Sequence, residues 1–313
     1  MKMMVNILPR QQRLLQFSLW ALLSFFPYIA VLGQHQAPIL FDLSDAPTQP
    51  SSEPKGLRAI NGILYSQAFR GGGSDPDPYR TGTELFFNTD NPAQIFRPGS
   101  GSGPFPPNVF SFLDIRPGAD DSNPTEFTSF GGRNYFFANP CIGPSCYGQV
   151  LFSTNGSSVD VVRIINPTPG SVSGGKNLTR VGSFLCFAAS GGAAGEELWR
   201  SDGTTVGTQL VLDLNTNFVP PANTLDSYPR DLTAVGSRLF FTANDGTTAS
   251  SRQLWVYDPT AGTSPGVNPR RVTTGLTFLD IQGSSNNLIA KDGLCFFLAD
   301  PGGGVALFST DGT

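Results

Sequence analysis

The sequence predicts an all-β fold, a β-propeller of about five four-stranded blades. Three observations predict it. One strand–turn–strand segment recurs five times, and a second segment built around a single large ring follows each copy. The chain is also rich in turn formers, with 36 glycines and 26 prolines, while 39% of its residues are hydrophobic, too many for a disordered chain.

The first element of each unit is a β-hairpin. Its clearest copy is LTAVGSRLFFTAND at 232–245. Its relatives are LRAINGILYSQA from Leu57, FTSFGGRNYFFAN from Phe127, LTRVGSFLCFAAS from Leu178 and LIAKDGLCFFLAD from Leu288. Each reads as a strand, a tight turn at a glycine, and an aromatic-rich strand, the pattern of a short-looped hairpin. The second element has ELWRSDGT at 197–204 as its fullest copy, with Phe87, Phe152, Trp199, Trp255 and Phe308 as the anchoring rings. A strand that buries one ring and ends in an Asp-Gly or Asn-Gly turn accounts for it.

The third element closes on an acid between aliphatics: LFDL at 40–43, FLDI at 112–115, VLDL at 211–214 and FLDI at 278–281, with Asn166 in the acid's place in the remaining copy. Hairpin, ring strand and closing strand make four strands, the content of one propeller blade. Without residues 1–33, which read as a signal peptide, the chain opens with a closing-type strand and stops after a ring strand, ALFSTDGT. The expectation is therefore that LFDL completes the last blade and covers two sheet edges. The alternative is a fragment of a longer propeller or repeat array.

Residues 1–33 read as a signal peptide, with Lys2, Arg10 and Arg13 ahead of an apolar run from Leu14 to Leu32. The rival reading is an uncleaved signal anchor. Residues 34–313 are then one secreted β domain, with no membrane association beyond the signal segment. The signal segment holds three of the 20 basic residues and none of the 24 acidic ones. The mature chain keeps 17 basic against 24 acidic residues, a formal charge of −7, which argues against nucleic acid as a partner. In an oxidising compartment Cys141 and Cys146, five apart in NPCIGPSCYG, are expected to form a disulfide, and Cys186 and Cys295, inside strands, to be buried thiols.

ELWRSDGTTVGTQLVLDL at 197–214, followed by DLTAVGSRLFFTANDG at 231–246, resembles the ELWxxDGT-repeat family of secreted, hyalin-like proteins. The third copy matches the motif fully. Pro259 replaces glycine in the fourth, and Asn155 replaces aspartate in the second. The resemblance implies a propeller-like extracellular protein and no particular activity.

Chemistry-bearing motifs are sparse. The single histidine, His35, lies outside every repeat, so no Ser-His-Asp or Cys-His set and no HExxH site falls in the repeat body. No catalytic residue and no cofactor site is assigned. Glu126, Glu196, Asp114 and Asp213 are the conceivable members of a paired-acid glycosidase site. The turn acids Asp90, Asp202, Asp258 and Asp311 are weak candidates for Ca²⁺, against the plainer reading that they bond their own turn amides. Trp199 and Trp255 are expected in the core between blades, since phenylalanine replaces them at the same repeat position in other copies. The functional expectation is a non-catalytic extracellular propeller that binds a glycan or protein partner through the loops 70–81, 97–108, 139–147 and 215–228. A structural matrix protein and a glycosidase-like enzyme are the alternatives.

Overall fold

Five antiparallel sheets follow one another along the chain, and each contains the hairpin seen in the sequence. The computed structural model describes residues 55–313 apart from 61–62, 70–82, 89–109, 114, 116–121, 143–144, 149, 157, 169–173, 193, 217–225, 248–251 and 279–286. The expected closing strand at 40–43 lies outside the described residues, as does the signal segment.

Blade 1 comprises β1 (Lys55–Ile60), β2 (Ile63–Phe69), β3 (Thr83–Asn88) and β4 (Phe110–Leu113), hydrogen-bonded in that order. Blade 2 pairs β5 (Thr125–Phe130), β6 (Arg133–Ala138), β9 (Val150–Thr154) and β10 (Val159–Arg163). A two-stranded ribbon, β7 (Cys141–Ile142) and β8 (Ser145–Cys146), interrupts it. Blade 3 holds β11 (Lys176–Val181), β12 (Phe184–Ser190), β13 (Glu196–Ser201) and β14 (Gln209–Leu212). Blade 4 holds β15 (Arg230–Val235), β16 (Arg238–Ala243), β17 (Gln253–Tyr257) and β18 (Arg270–Arg271). Blade 5 is built from β19 (Thr277–Phe278), β20 (Leu288–Lys291), β21 (Leu294–Asp300) and β22 (Ala306–Thr310). The first hairpin strand of each blade touches that of the next, so β1, β5, β11, β15 and β20 form the inner row. This is a β-propeller.

The third strand shows why the blades stack. Its repeat leucine is Leu85, Leu151, Leu198 or Leu254 in blades 1 to 4, each with no exposed surface. Each packs into the following blade: Leu151 against Phe187, Ala189 and Trp199, and Leu198 against Phe241, Ala243 and Trp255. Burying such a side chain from both sides is the dominant favourable term. Phe152, Trp199 and Trp255 are buried as expected, and Phe308 packs against the last core cluster. The Trp199 indole N–H donates to the Ala189 carbonyl at 3.1 Å, whereas the Trp255 indole nitrogen is buried without an acceptor among the described residues.

A second device links the inner strands. Thr128, Thr179 and Thr233 occupy one repeat position, and their hydroxyls donate to the carbonyls of Leu178, Leu232 and Leu288 in the next blade, at 3.0, 3.3 and 3.4 Å. Two residues earlier the strand bulges, with Glu126, Asn177 and Asp231 at φ 61°, 58° and 57°. The Asp231 carboxylate accepts from the Asn287 amide at 3.1 Å, so the bulge also staples blade to blade.

The turn glycines follow from the same stacking. A Cβ on Gly203 (φ 93°) would lie 2.5 Å from the Tyr135 hydroxyl, and one on Gly312 (φ 81°) 2.7 Å from the Phe240 ring. Tyr135 and Phe240 share one repeat position in the preceding blade. In blade 3 that position is Cys186, and the turn that follows carries Pro259 instead of glycine.

Two closing strands differ from expectation. In blade 4 the fourth strand is Arg270–Arg271, while Thr277–Phe278, which includes the first residue of the expected 278–281 strand, pairs with Asp300 and Ala299 of blade 5. In blade 2 it is Val159–Arg163, ahead of Asn166. A closing strand pairs wherever the loop before it brings its backbone to the ring strand's edge, and loop length differs in each copy.

Candidate functional site

Among the described residues, the acids singled out in the sequence form no cluster of three. Asp202, Asp258 and Asp311 sit in separate blades, and each Oδ1 accepts from both the amide and the hydroxyl of the threonine two residues on, at 2.6–2.9 Å. The Thr260 and Thr313 donors hold the Asp258 and Asp311 carboxyls below the usual carboxylate range. Among the described residues no three potential metal ligands gather. Asp90 and Asp114 lie outside the described residues. Glu196 is paired with Lys176 at 2.9 Å, and burial raises the Asp213 carboxyl. Cys141 stands opposite Cys146 in the β7–β8 ladder. Cys186 and Cys295 are buried free thiols, and burial pushes both up to about 12.

Glu197, the motif's first letter, has no exposed surface. Its carboxylate accepts from the Ser227 amide at 2.8 Å, the Ser227 hydroxyl at 2.6 Å and the Leu214 amide at 3.1 Å. Burial pushes it up to about 8, against the pull of these donors. It is a structural tie between β13 and the loops after β14, closed to any ligand.

The place where the repeat symmetry breaks is a cleft of about 320 Å³ at the junction of blades 1, 2 and 3, lined by Gln67, Pro124, Thr125, Glu126, Phe127, Thr128 and Leu178. Gln67 on β2 occupies the repeat position of Phe137, Ala188, Thr242 and Leu298. At the junction of blades 2 and 3 the Phe137 ring fills the equivalent space and presses on Gly175, where a Cβ would lie 2.2 Å from it. With a glutamine in place of the ring, that space stays open. The Gln67 Oε1 is buried and accepts no hydrogen bond among the described residues. Glu126 Oε2 accepts from the Leu178 amide at 3.0 Å, and Oε1 has no donor among the described residues. Phe127, stacked on Phe136 at 5.5 Å, forms an apolar wall.

Glu126 is the one glutamate at a bulge position otherwise held by Asn177 and Asp231, residue types better suited to positive φ. Its extra methylene sets the carboxylate one residue further along the next blade than the Asp231 carboxylate reaches. Sequence reasoning named Glu126 as a paired acid and missed Gln67. The signal was there: a polar residue in a column of Phe, Ala, Thr and Leu.

No family model matches the sequence, and no curated protein matches it. Solved structures do. The chain is similar to a puromycin hydrolase (10% identity, TM-score 0.45), with 82% of this chain covering 36% of that one. It is also similar to an endo-arabinase from Bacteroides thetaiotaomicron (10%, TM-score 0.33, 84% of this chain and 94% of that one). A third match is the β-propeller domain of the Trilobed protease from Pyrococcus furiosus (11%, TM-score 0.32, 83% of each chain). The chain spans about a third of the length of the puromycin hydrolase. Likeness at this level speaks to the fold. Against the expectation from the sequence of a non-catalytic propeller binding a glycan or protein through its face loops, the neighbours named for an activity are hydrolases and a polysaccharide lyase. The physical reason is that a blade repeat specifies packing and leaves the chemistry to residues that depart from the repeat.

Proposed function

We propose that this chain is the substrate-holding propeller of a hydrolytic enzyme. The observation that carries the reading is the cleft, where Gln67 on β2 stands in place of the ring its repeat counterpart carries and leaves open space beside the Glu126 side chain. Pockets of this size that combine apolar walls with a few converging polar groups are the usual place for a small ligand. In this reading the cleft holds and orients the substrate, and the groups that break the bond come from outside the described residues. The hydrolase neighbours agree with the reading and add no weight to it.

The test is saturable binding of small amide and ester substrates to the full chain, followed by calorimetry. Binding should vanish in Gln67→Phe, which fills the cleft with the ring that blade 2 carries at the same position. A folded chain that binds none of the panel, or a Gln67→Phe variant that binds as well as the parent, would overturn the reading. We also assign the chain to the ELWxxDGT-repeat type and to the cell exterior, with a Cys141–Cys146 disulfide. The repeat segments, the basic and apolar start of the chain, and the cysteines' cross-strand register support these assignments.

A further inference from the structure

Blade 5 leaves one of its faces open. Cys295, Phe297 and Ala299 of β21 pack against blade 4, so the alternation of the strand turns Phe296 and Leu298 the other way. Leu298 stands directly opposite Leu307 on β22, and Ile289 on β20 stands opposite the half-buried Phe296. With Val305, which continues the row of Leu307, these side chains make one apolar surface. Ile289, Leu298, Val305 and Leu307 are each between 39% and 68% exposed. Eight large hydrophobic side chains are exposed among the described residues; four share this face, and the other four are spread over blades 2 to 4. Scattered exposed hydrophobics are ordinary, whereas a contiguous set marks an interaction surface.

The other junctions show what such a face meets. In blades 1 to 4 the matching leucine is covered by a sheet of this chain, whose second strand brings Phe136, Phe187, Phe241 or Phe297 to the junction. Blade 1 carries Ser66 in that column, and Ser66 is itself buried, so blade 1 has no ring with which to receive blade 5. A net charge of −4 opposes contact between copies of the chain at large, yet this face is charged only at its two ends, by Lys291 and Asp300. Those charges have opposite signs, so reversing the strand direction of a second copy sets unlike charges across from each other. We propose that the open face of blade 5 packs on the same face of a second copy, about a twofold axis that lies in the interface and runs across the strands. Sheets packed face to face interdigitate apolar side chains in this way, and a twofold pairing closes without leaving a free face. Three short strands about 4.8 Å apart cover less than the roughly 800 Å² per partner of a standard interface, so the dissociation constant should be about 10 µM or weaker. At about 1 µM the copies are then apart, and unfolding measured there reads the single chain.

The test is sedimentation velocity of the full chain over a concentration series that spans this value. A monomer–dimer equilibrium is expected. Leu307→Glu and Ile289→Glu each bury a carboxylate at the contact and should weaken the dimer about tenfold or more. Both positions are exposed in the single chain, so the melting temperature at low concentration should match that of the parent and show the variants folded. Val206→Glu, at an exposed position on blade 3, should leave the equilibrium unchanged. A chain that stays monomeric throughout overturns the proposal, and protection of Leu307 from hydroxyl-radical labelling in that monomer would show the chain covering the face itself. Association that grows past the dimer overturns the twofold pairing. Association that persists in both glutamate variants, as it would through the apolar run at 14–32, overturns the assignment to blade 5.

Discussion

Blades 3 and 5 carry nearly the same pattern and end in different surroundings. Leu198 and Leu307 occupy one repeat position in ring strands that both run into Asp-Gly-Thr. Leu198 has no exposed surface, and Leu307 is 68% exposed. On the same face of blade 5, Leu298 is exposed where its equivalents Phe137, Ala188 and Thr242 are buried, and Ile289 stands exposed where three other blades place a stapling threonine. The comparison teaches that a blade's sequence prepares its face for a neighbour, while the neighbour decides whether that face contributes to stability.

The largest effect should come from testing that contrast directly. Leu198→Ala should cost about 2–5 kcal/mol in urea unfolding, the range for emptying a packed core site. Leu307→Ala should stay within about 0.5 kcal/mol, as an exposed substitution does. Equal costs at the two positions would break the comparison. The turns sharpen it next. Gly203→Ala should cost about 1–3 kcal/mol, because it forces a side chain into positive φ and towards Tyr135. Pro259→Gly, in the turn that follows a blade with Cys186 at the ring position, should cost about 1 kcal/mol or less, through added freedom of the unfolded chain.

Glu197 adds a pH dependence to blade 3. Its ordinary value is near 4.5 and its folded value about 8, so the fold favours the protonated form. The stability this confers is complete below the lower value and is lost as pH rises through the higher one. Melting temperature should therefore decline between pH 5 and 8, and Glu197→Gln should flatten that decline; a slope unchanged in the variant would assign it to other groups. The smallest effect separates the two tryptophans. Trp199→Phe loses the bond to the Ala189 carbonyl and should cost about 1 kcal/mol beyond the change in ring size. Trp255→Phe removes a buried N–H without an acceptor and should cost measurably less.

Much of this was legible in the sequence. Hairpins, ring strands and turns repeat in register, and a strand that alternates around a fixed aromatic has few other ways to bury it. Legibility failed at the closing strands of blades 2 and 4, where the pairing register depends on loops whose path no local pattern specifies. The candidate site was half legible. Glu126 stands out as an acid, but its partner Gln67 is 59 residues away in the previous blade, and only alignment of the columns marks it as a departure.

By itself the sequence determined the repeat, the all-β class and the ring positions, because these follow from local periodicity and turn chemistry. The tertiary structure decided what each repeat position meets across the blade junction: a glycine is required at 203 by the hydroxyl of Tyr135, a proline stands at 259 where the preceding blade offers Cys186, and a cleft opens at Gln67 where Phe137 closes its counterpart. Those outcomes depend on pairs of residues from neighbouring blades, and a local pattern describes one blade at a time.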